Sequence, residues 1–222
     1  MNLQNATLAF DLDGTLVDTA PDLIGMLNLM LDEAGLPSVP LSAARHLVGG
    51  GARRMLEHGF QEAGRVLQPA EAPALLERFV EIYRARIADE SRVFDGVEAT
   101  LDQLAAAGAR LCVCTNKRTD LSVDLLRALG LADRFAAIVG ADAVTRRKPD
   151  AAHLLETVST AGGDPSHAVM IGDSDTDFHT ARAAGAPVIL VPFGYCEVRV
   201  EDLGADAVIE HFADLPAALA AL

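Results

Sequence analysis

Thr7-Leu8-Ala9-Phe10-Asp11-Leu12-Asp13-Gly14-Thr15 is the stretch on which the fold of this chain turns. Its apolar start has the length of a buried strand, and Gly14 supplies the turn that stops it. Asp11 and Asp13 are thereby left close together at the strand end, beside exposed backbone N–H groups. Adjacent carboxylates repel unless a cation holds them, so the pair points to a divalent metal. A solvated turn uses the same residue types, and the rest of the chain decides between the two readings.

Downstream, Pro21 to Ala34, Ser42 to Arg65 and Glu71 to Ile87 carry apolar residues at helical spacing, with Gly49-Gly50-Gly51 as an interruption and no convincing strand between about 18 and 91. From Glu98 onward helices and strands alternate. Strands are expected at 110–115, 137–140, 167–172, 188–191 and 207–209, and helices at 98–107, 120–129, 151–161, 176–184 and 215–222. Such alternation predicts an α/β fold, an open parallel sheet with helices on both faces. The all-helical stretch after the first strand then reads as an inserted cap. The expected division is a core of residues 1–17 and 92–222 and a helical cap of residues 18–91.

In an open parallel sheet, chemistry gathers at the carboxyl ends of the strands. The first strand delivers Asp11 and Asp13, and the second Thr115-Asn116-Lys117. The loop after the third carries Arg146-Arg147-Lys148-Pro149, and the fourth strand delivers Gly172-Asp173-Ser174-Asp175-Thr176-Asp177. Among 18 basic residues, Lys117 and Lys148 are the two lysines, and both fall in these loops. A lysine among arginines suits a place that needs a compact ammonium charge.

A metal held by Asp11 and Asp173, next to a lysine and a hydroxyl, forms a site for a dianionic phosphoryl group, and Mg2+ suits such oxygen ligands. One carboxylate can attack phosphorus, and a second at i+2 can protonate the leaving alkoxide and then activate water. Lys148 and Thr115 can hold the phosphoryl oxygens as charge shifts.

Composition narrows the field further. The chain has 222 residues, half of them hydrophobic, which suffices for one large domain or a core with an insertion. A net charge of −14 argues against nucleic acid. The apolar runs fall far short of a membrane span, and the N-terminus shows no targeting pattern, so a cytoplasmic protein that does not bind membranes is expected. Cys112 and Cys114 share one face of a strand and read as buried free thiols. Cys196 stands alone, and the six histidines, without metal-ligand pairing, read as surface or core-edge residues.

The quartet of Asp11-Leu-Asp-Gly-Thr15, Thr115, Lys148-Pro149 and Gly172-Asp173-x-x-x-Asp177 resembles, in order and over nearly the whole chain, the four motifs of the haloacid dehalogenase superfamily. The resemblance implies a Rossmann-like core, Asp11 as nucleophile and Asp13 as general acid/base. It also implies that Thr115 and the Asn116 backbone bind phosphoryl oxygens and that Lys148 neutralises charge. Mg2+ is then held by Asp11, the Asp13 carbonyl and Asp173, with Asp177 as a supporting ligand or one step behind. The second aspartate favours phosphoryl transfer over dehalogenation.

Within that superfamily the chain is most similar to the phosphoglycolate phosphatases, through Asp18-Thr-Ala-Pro-Asp22, Val48-Gly-Gly-Gly51 and Thr115-Asn-Lys117. The expected activity is Mg2+-dependent hydrolysis of a small phosphorylated metabolite, 2-phosphoglycolate above others. Arg45, Arg53 and Arg54 are the candidates for meeting the substrate carboxylate. Another sugar or amino-sugar phosphate, a sugar-phosphate mutase and a non-enzymatic phospho-accepting receiver are the alternatives. A monomer or homodimer fits equally.

Overall fold

The computed structural model describes residues 1–222, all but Ala43 and Ala44 down to the side chain. The chain opens with β1 (Thr7–Phe10) and β2 (Val17–Asp18), then runs through α1 (Ala20–Glu33), α2 (Leu41–Ala44), α3 (Ala52–Glu62) and α4 (Ala72–Ala85). It returns through β3 (Arg92–Val93), α5 (Val97–Ala106), β4 (Arg110–Thr115), α6 (Thr119–Ala128), β5 (Ala137–Gly140) and α7 (Ala151–Thr160). It closes with β6 (Ala168–Gly172), α8 (Asp175–Ala184), β7 (Val188–Leu190), β8 (Ala207–Val208) and α9 (Leu215–Ala221). No helix is long and apolar enough to cross a membrane among the described residues.

Six strands form one parallel sheet in the order β5-β4-β1-β6-β7-β8. The alternation of the sequence is thus realised, and β1 lies where the order reverses, the place at which such sheets open a crevice. Side chains alternate across the sheet by the period of two. Leu8, Phe10, Leu111, Val113, Val169 and Ile171 pack with α5, α6 and α9 on one face. Ala9, Cys112, Cys114, Val139, Met170 and Leu190 pack with α7 and α8 on the other. Cys112 and Cys114 are buried free thiols.

The helices of the insertion share an apolar core of their own. In α1, Leu23, Leu27, Met30 and Leu31 repeat at helical spacing and meet Met55 and Phe60 of α3 and Phe79 and Tyr83 of α4. Where the chain leaves and re-enters the sheet region, β2 and β3 pair antiparallel, Val17 opposite Val93 and Asp18 opposite Arg92. The sequence predicts no strand there, because two residues are too short for any periodicity to register. Asp22 of α1 ties the same junction together, accepting from the Glu90 and Ser91 amides and, at 2.6 Å, from the Ser91 hydroxyl.

Candidate active site

Asp11 continues β1, its amide donating to the Ile171 carbonyl at 2.8 Å, so its carboxylate leaves the sheet at the switch point. Gly14 turns the chain at φ +88°, in the left-handed region that suits glycine. Glycine is required there for a second reason: a Cβ at Gly14 or Gly194 would strike Asp173. Asp173 ends β6 and is held in this glycine-lined space by the Thr15 hydroxyl at 3.1 Å and the Tyr195 amide at 2.7 Å.

Lys148 is the cation of this cluster. It is 3% exposed, with Nζ 2.9 Å from Asp11 Oδ1 and 2.7 Å from Asp177 Oδ1. Burial opposes its charge, and Asp11 and Asp177 overcome that, so its pKa rises. The contact with Asp11 is one of charge, and among the described residues buried Asp11 Oδ1 has no better-aligned donor than this ammonium. The Lys148–Pro149 peptide is cis, and His153 of α7 braces the loop, its Nδ1 accepting from the Lys148 amide at 3.1 Å. His153 Nε2 lies 3.3 Å from the Val139 carbonyl, which makes Nε2 the protonated nitrogen. Burial, with Lys148 adding to it, lowers its pKa to about 4 and keeps the ring neutral. The sequence places the histidines at the surface or core edge. His153 is instead fully buried, because it braces the lysine loop.

Asp177 joins α8 to this group. Ser174 and Asp177 form a reciprocal capping box: the Ser174 hydroxyl accepts from the Asp177 amide, and Asp177 Oδ2 takes the Ser174 amide and hydroxyl. The Asp173 amide reaches the same oxygen. One oxygen of each of Asp11, Asp173 and Asp177 lies within 4.8 Å of the others. Three buried carboxylates with one lysine leave negative charge uncompensated. Asp11 is accordingly pushed up to about 7, first by burial, against the pull of Lys148, with Asp177 adding to the rise. Asp173 is raised well above the usual carboxylate range by burial, Asp177 and Asp11.

Asp13 keeps different company. Its Oδ1 accepts from the Thr19 hydroxyl at 2.7 Å and from Lys117 Nζ at 2.9 Å. Asp11, Asp13, Thr115, Asn116 and Lys117 all line one cavity of about 320 Å³, roofed by α3 and α4. Thr115, 1% exposed, ends β4 with its hydroxyl accepting from the Lys117 amide. The Asn116 amide nitrogen lies 3.3 Å from the Lys148 carbonyl, which ties the two strand-end loops together.

The arginines divide. Arg53 lines the cavity but is exposed and paired with Glu57 at 2.9 Å. Arg54 lies on a neighbouring cleft with Asp173 and Tyr195. Arg45 does not line the cavity: it pairs with Asp18 at 3.1 Å and lies 5.0 Å over the Tyr195 ring. A nearer carboxylate and an aromatic face thus occupy the Arg45 guanidinium.

Tyr195 and Lys117 carry more than the sequence discloses. The Tyr195 hydroxyl accepts from the Thr19 and Ala20 amides at 2.7 and 3.0 Å and donates to Asp18 at 2.7 Å. It thus satisfies the start of α1, which has no side-chain cap of its own. Tyr195 stands 175 positions beyond Ala20, too far for local pattern to reveal the contact.

The chain is similar to known proteins over nearly its whole length. A family model described as haloacid dehalogenase-like hydrolase matches residues 8–191. The chain is 54% identical over 217 residues to a phosphoglycolate phosphatase of Caulobacter vibrioides, covering 98% of this chain and 92% of that one. It is 48% identical over 210 residues to a phosphoglycolate phosphatase of Agrobacterium fabrum, covering 95% and 90%. A crystal structure described as a predicted phosphoglycolate phosphatase from Haemophilus somnus superimposes with a TM-score of 0.88 at 28% identity, over 98% of each chain.

Proposed function

The chain belongs to the haloacid dehalogenase-like hydrolases, and from that premise we propose that it is a Mg2+-dependent phosphomonoesterase acting on 2-phosphoglycolate. The observation that carries the reading is the separation of the two strand-end carboxylates: Asp11 keeps a buried oxygen beside Lys148, and Asp13 lies apart with Thr19 and Lys117. Their relatives' activity supports the choice of ester.

Asp11 attacks phosphorus as the ester P–O bond breaks, and Asp13 gives its proton to the departing glycolate oxygen. Asp13 then takes a proton from water, whose oxygen attacks the aspartyl-phosphate, releasing phosphate and restoring Asp11. Thr115 and the Asn116 backbone hold the phosphoryl oxygens, and Lys148 balances their charge. The metal fits the donors present: the buried carboxylates of Asp11 and Asp173 form an all-oxygen set with excess negative charge. Both oxygens of Asp177 already accept hydrogen bonds, so Asp177 serves as the anchor behind these ligands. When bound, Mg2+ supplies positive charge at the transferring phosphoryl group. Residues 18–91 act as the cap that excludes water, and nothing in the reaction calls for nucleic acid or membrane. We place the protein in the cytoplasm as a monomer or homodimer.

The test is phosphate release from a panel of phosphate esters, with Mg2+ or with EDTA. Metal-dependent release led by 2-phosphoglycolate is the expected result. An inert phosphoglycolate beside an active sugar or amino-sugar phosphate discards the substrate. Glucose-bisphosphate-dependent isomerisation without free phosphate points to a mutase.

Metal binding has a pH signature. Asp11 goes from an ordinary 3.8 to about 7 in the fold. Between those values the folded, metal-free protein holds a proton that the unfolded chain has released, so stability falls as pH rises toward about 7. A cation takes that proton's place above this range. Added Mg2+ is therefore expected to raise the Tm more at pH 8 than at pH 6, read by thermal melts at matched ionic strength.

A further inference from the structure

Lys117 is a buried cation that the reaction above leaves unused. It is 9% exposed, on the cavity wall, with Nζ 2.9 and 3.2 Å from the two Asp13 oxygens and 4.8 Å over the ring of Tyr83. Tyr83, from α4, is fully buried on the same cavity and stacks on Phe79 at 5.9 Å. Among the described residues its hydroxyl has no aligned hydrogen-bond partner, although the Lys117 ammonium lies beside it. A buried hydroxyl without an acceptor is a cost to the fold, and that cost is removed when an acceptor arrives. A lysine beside it still has donor capacity after serving one carboxylate.

The substrate's own chemistry says what the acceptor is. In 2-phosphoglycolate the carboxylate is bonded to the carbon that carries the ester oxygen. With phosphorus at Asp11 and the ester oxygen at Asp13, that carboxylate must lie close to whatever flanks Asp13, which is Lys117. The other cations are less buried than Lys117: Arg45 is off the cavity with Asp18, Arg53 is exposed with Glu57, Arg118 is exposed with Asp120, and Arg147, without an ion pair among the described residues, lines the cavity from an exposed position.

We propose that Lys117 and the Tyr83 hydroxyl together receive the substrate carboxylate, and so set the preference for a 2-phospho-carboxylic acid over an uncharged alkyl phosphate. The inference rests on the proposed substrate. A buried ammonium paired with an aligned hydroxyl discriminates strongly, because a ligand lacking the carboxylate leaves both donors unanswered. One donor comes from the sheet and one from α4, so the receptor is complete only with the helices in place over the strand ends.

The experiment measures kcat and KM with Mg2+ for 2-phosphoglycolate and for ethyl phosphate, the same ester without the carboxylate. It compares the natural chain with Tyr83→Phe and Lys117→Met. The ratio of kcat/KM for the two esters is expected to fall roughly ten- to hundredfold in each variant, the size of a lost charged hydrogen bond, mainly through KM for phosphoglycolate. Tyr83→Phe removes a hydroxyl that has no aligned hydrogen bond among the described residues, so its ratio remains readable even if Lys117→Met is unstable. An unchanged ratio, with both esters slowed alike, overturns the inference and leaves Lys117 as a support for Asp13. A natural chain that hydrolyses ethyl phosphate and ignores phosphoglycolate overturns the substrate reading itself, which is a different result.

Discussion

Asp11→Asn is expected to lower kcat by at least about 10⁴-fold, the scale on which loss of a covalent nucleophile is felt. The substitution keeps shape and volume and exchanges an anionic oxygen for an amide nitrogen. Stability is expected to move the other way. Asp11 is raised to about 7 mainly by burial, so above that pH its charged form is a burden on the metal-free fold, which a neutral amide relieves. Lys148 keeps Asp177 at 2.7 Å as its counter-charge. The variant should therefore melt no lower than the natural chain at pH 8 without metal while releasing almost no phosphate. Turnover within tenfold of the natural chain would remove Asp11 from the nucleophile's role.

Lys148→Met is expected to cost stability as well as activity. The lysine is the buried counter-charge between Asp11 and Asp177, and breaking such a group by removing one partner typically costs about 3–5 kcal/mol. The damage spreads, because Asp177 also holds the start of α8 through its capping box with Ser174. Urea denaturation at pH 8 should show the full loss. Lowering the pH should return much of it, since protonating the carboxylates removes the repulsion the lysine had answered. Adding Asp11→Asn should rescue part of the loss, a coupling that a double-mutant cycle measures directly. A loss that stays the same at pH 5 and pH 8 would show that repulsion among the carboxylates is not what the lysine answers.

The contrast between these residues and the partners they find across the fold shows what sequence carries. Asp11, Asp13, Thr115, Lys148 and Asp173 all stand at or just beyond strand ends, so strand–helix alternation alone brings them to one edge. The parallel sheet was legible for the same reason, each strand being a short apolar run with its own stop. What sequence did not carry were partners chosen across the fold. Arg45 beside Gly49-Gly50-Gly51 looks available, and its capture by Asp18 and Tyr195 needs three segments in register. His153 is five residues past Lys148 on an apolar helix, and its interior place follows from the shape of the lysine loop rather than from any pairing rule. Tyr83 looks like ordinary helix core until its hydroxyl is seen to lack an aligned partner.

Tyr195 gears the two ends of the molecule to each other. Its hydroxyl takes the first amides of α1, and its own amide fixes Asp173. If α1 tilts away from the sheet, it must either abandon that hydroxyl, exposing two amides that water then has to satisfy, or pull Tyr195 along and slacken the grip on Asp173. The first route makes water entry a condition of opening; the second turns a helix movement into a change of carboxylate aim. The position of α1 and the alignment of Asp173 are therefore coupled through one side chain.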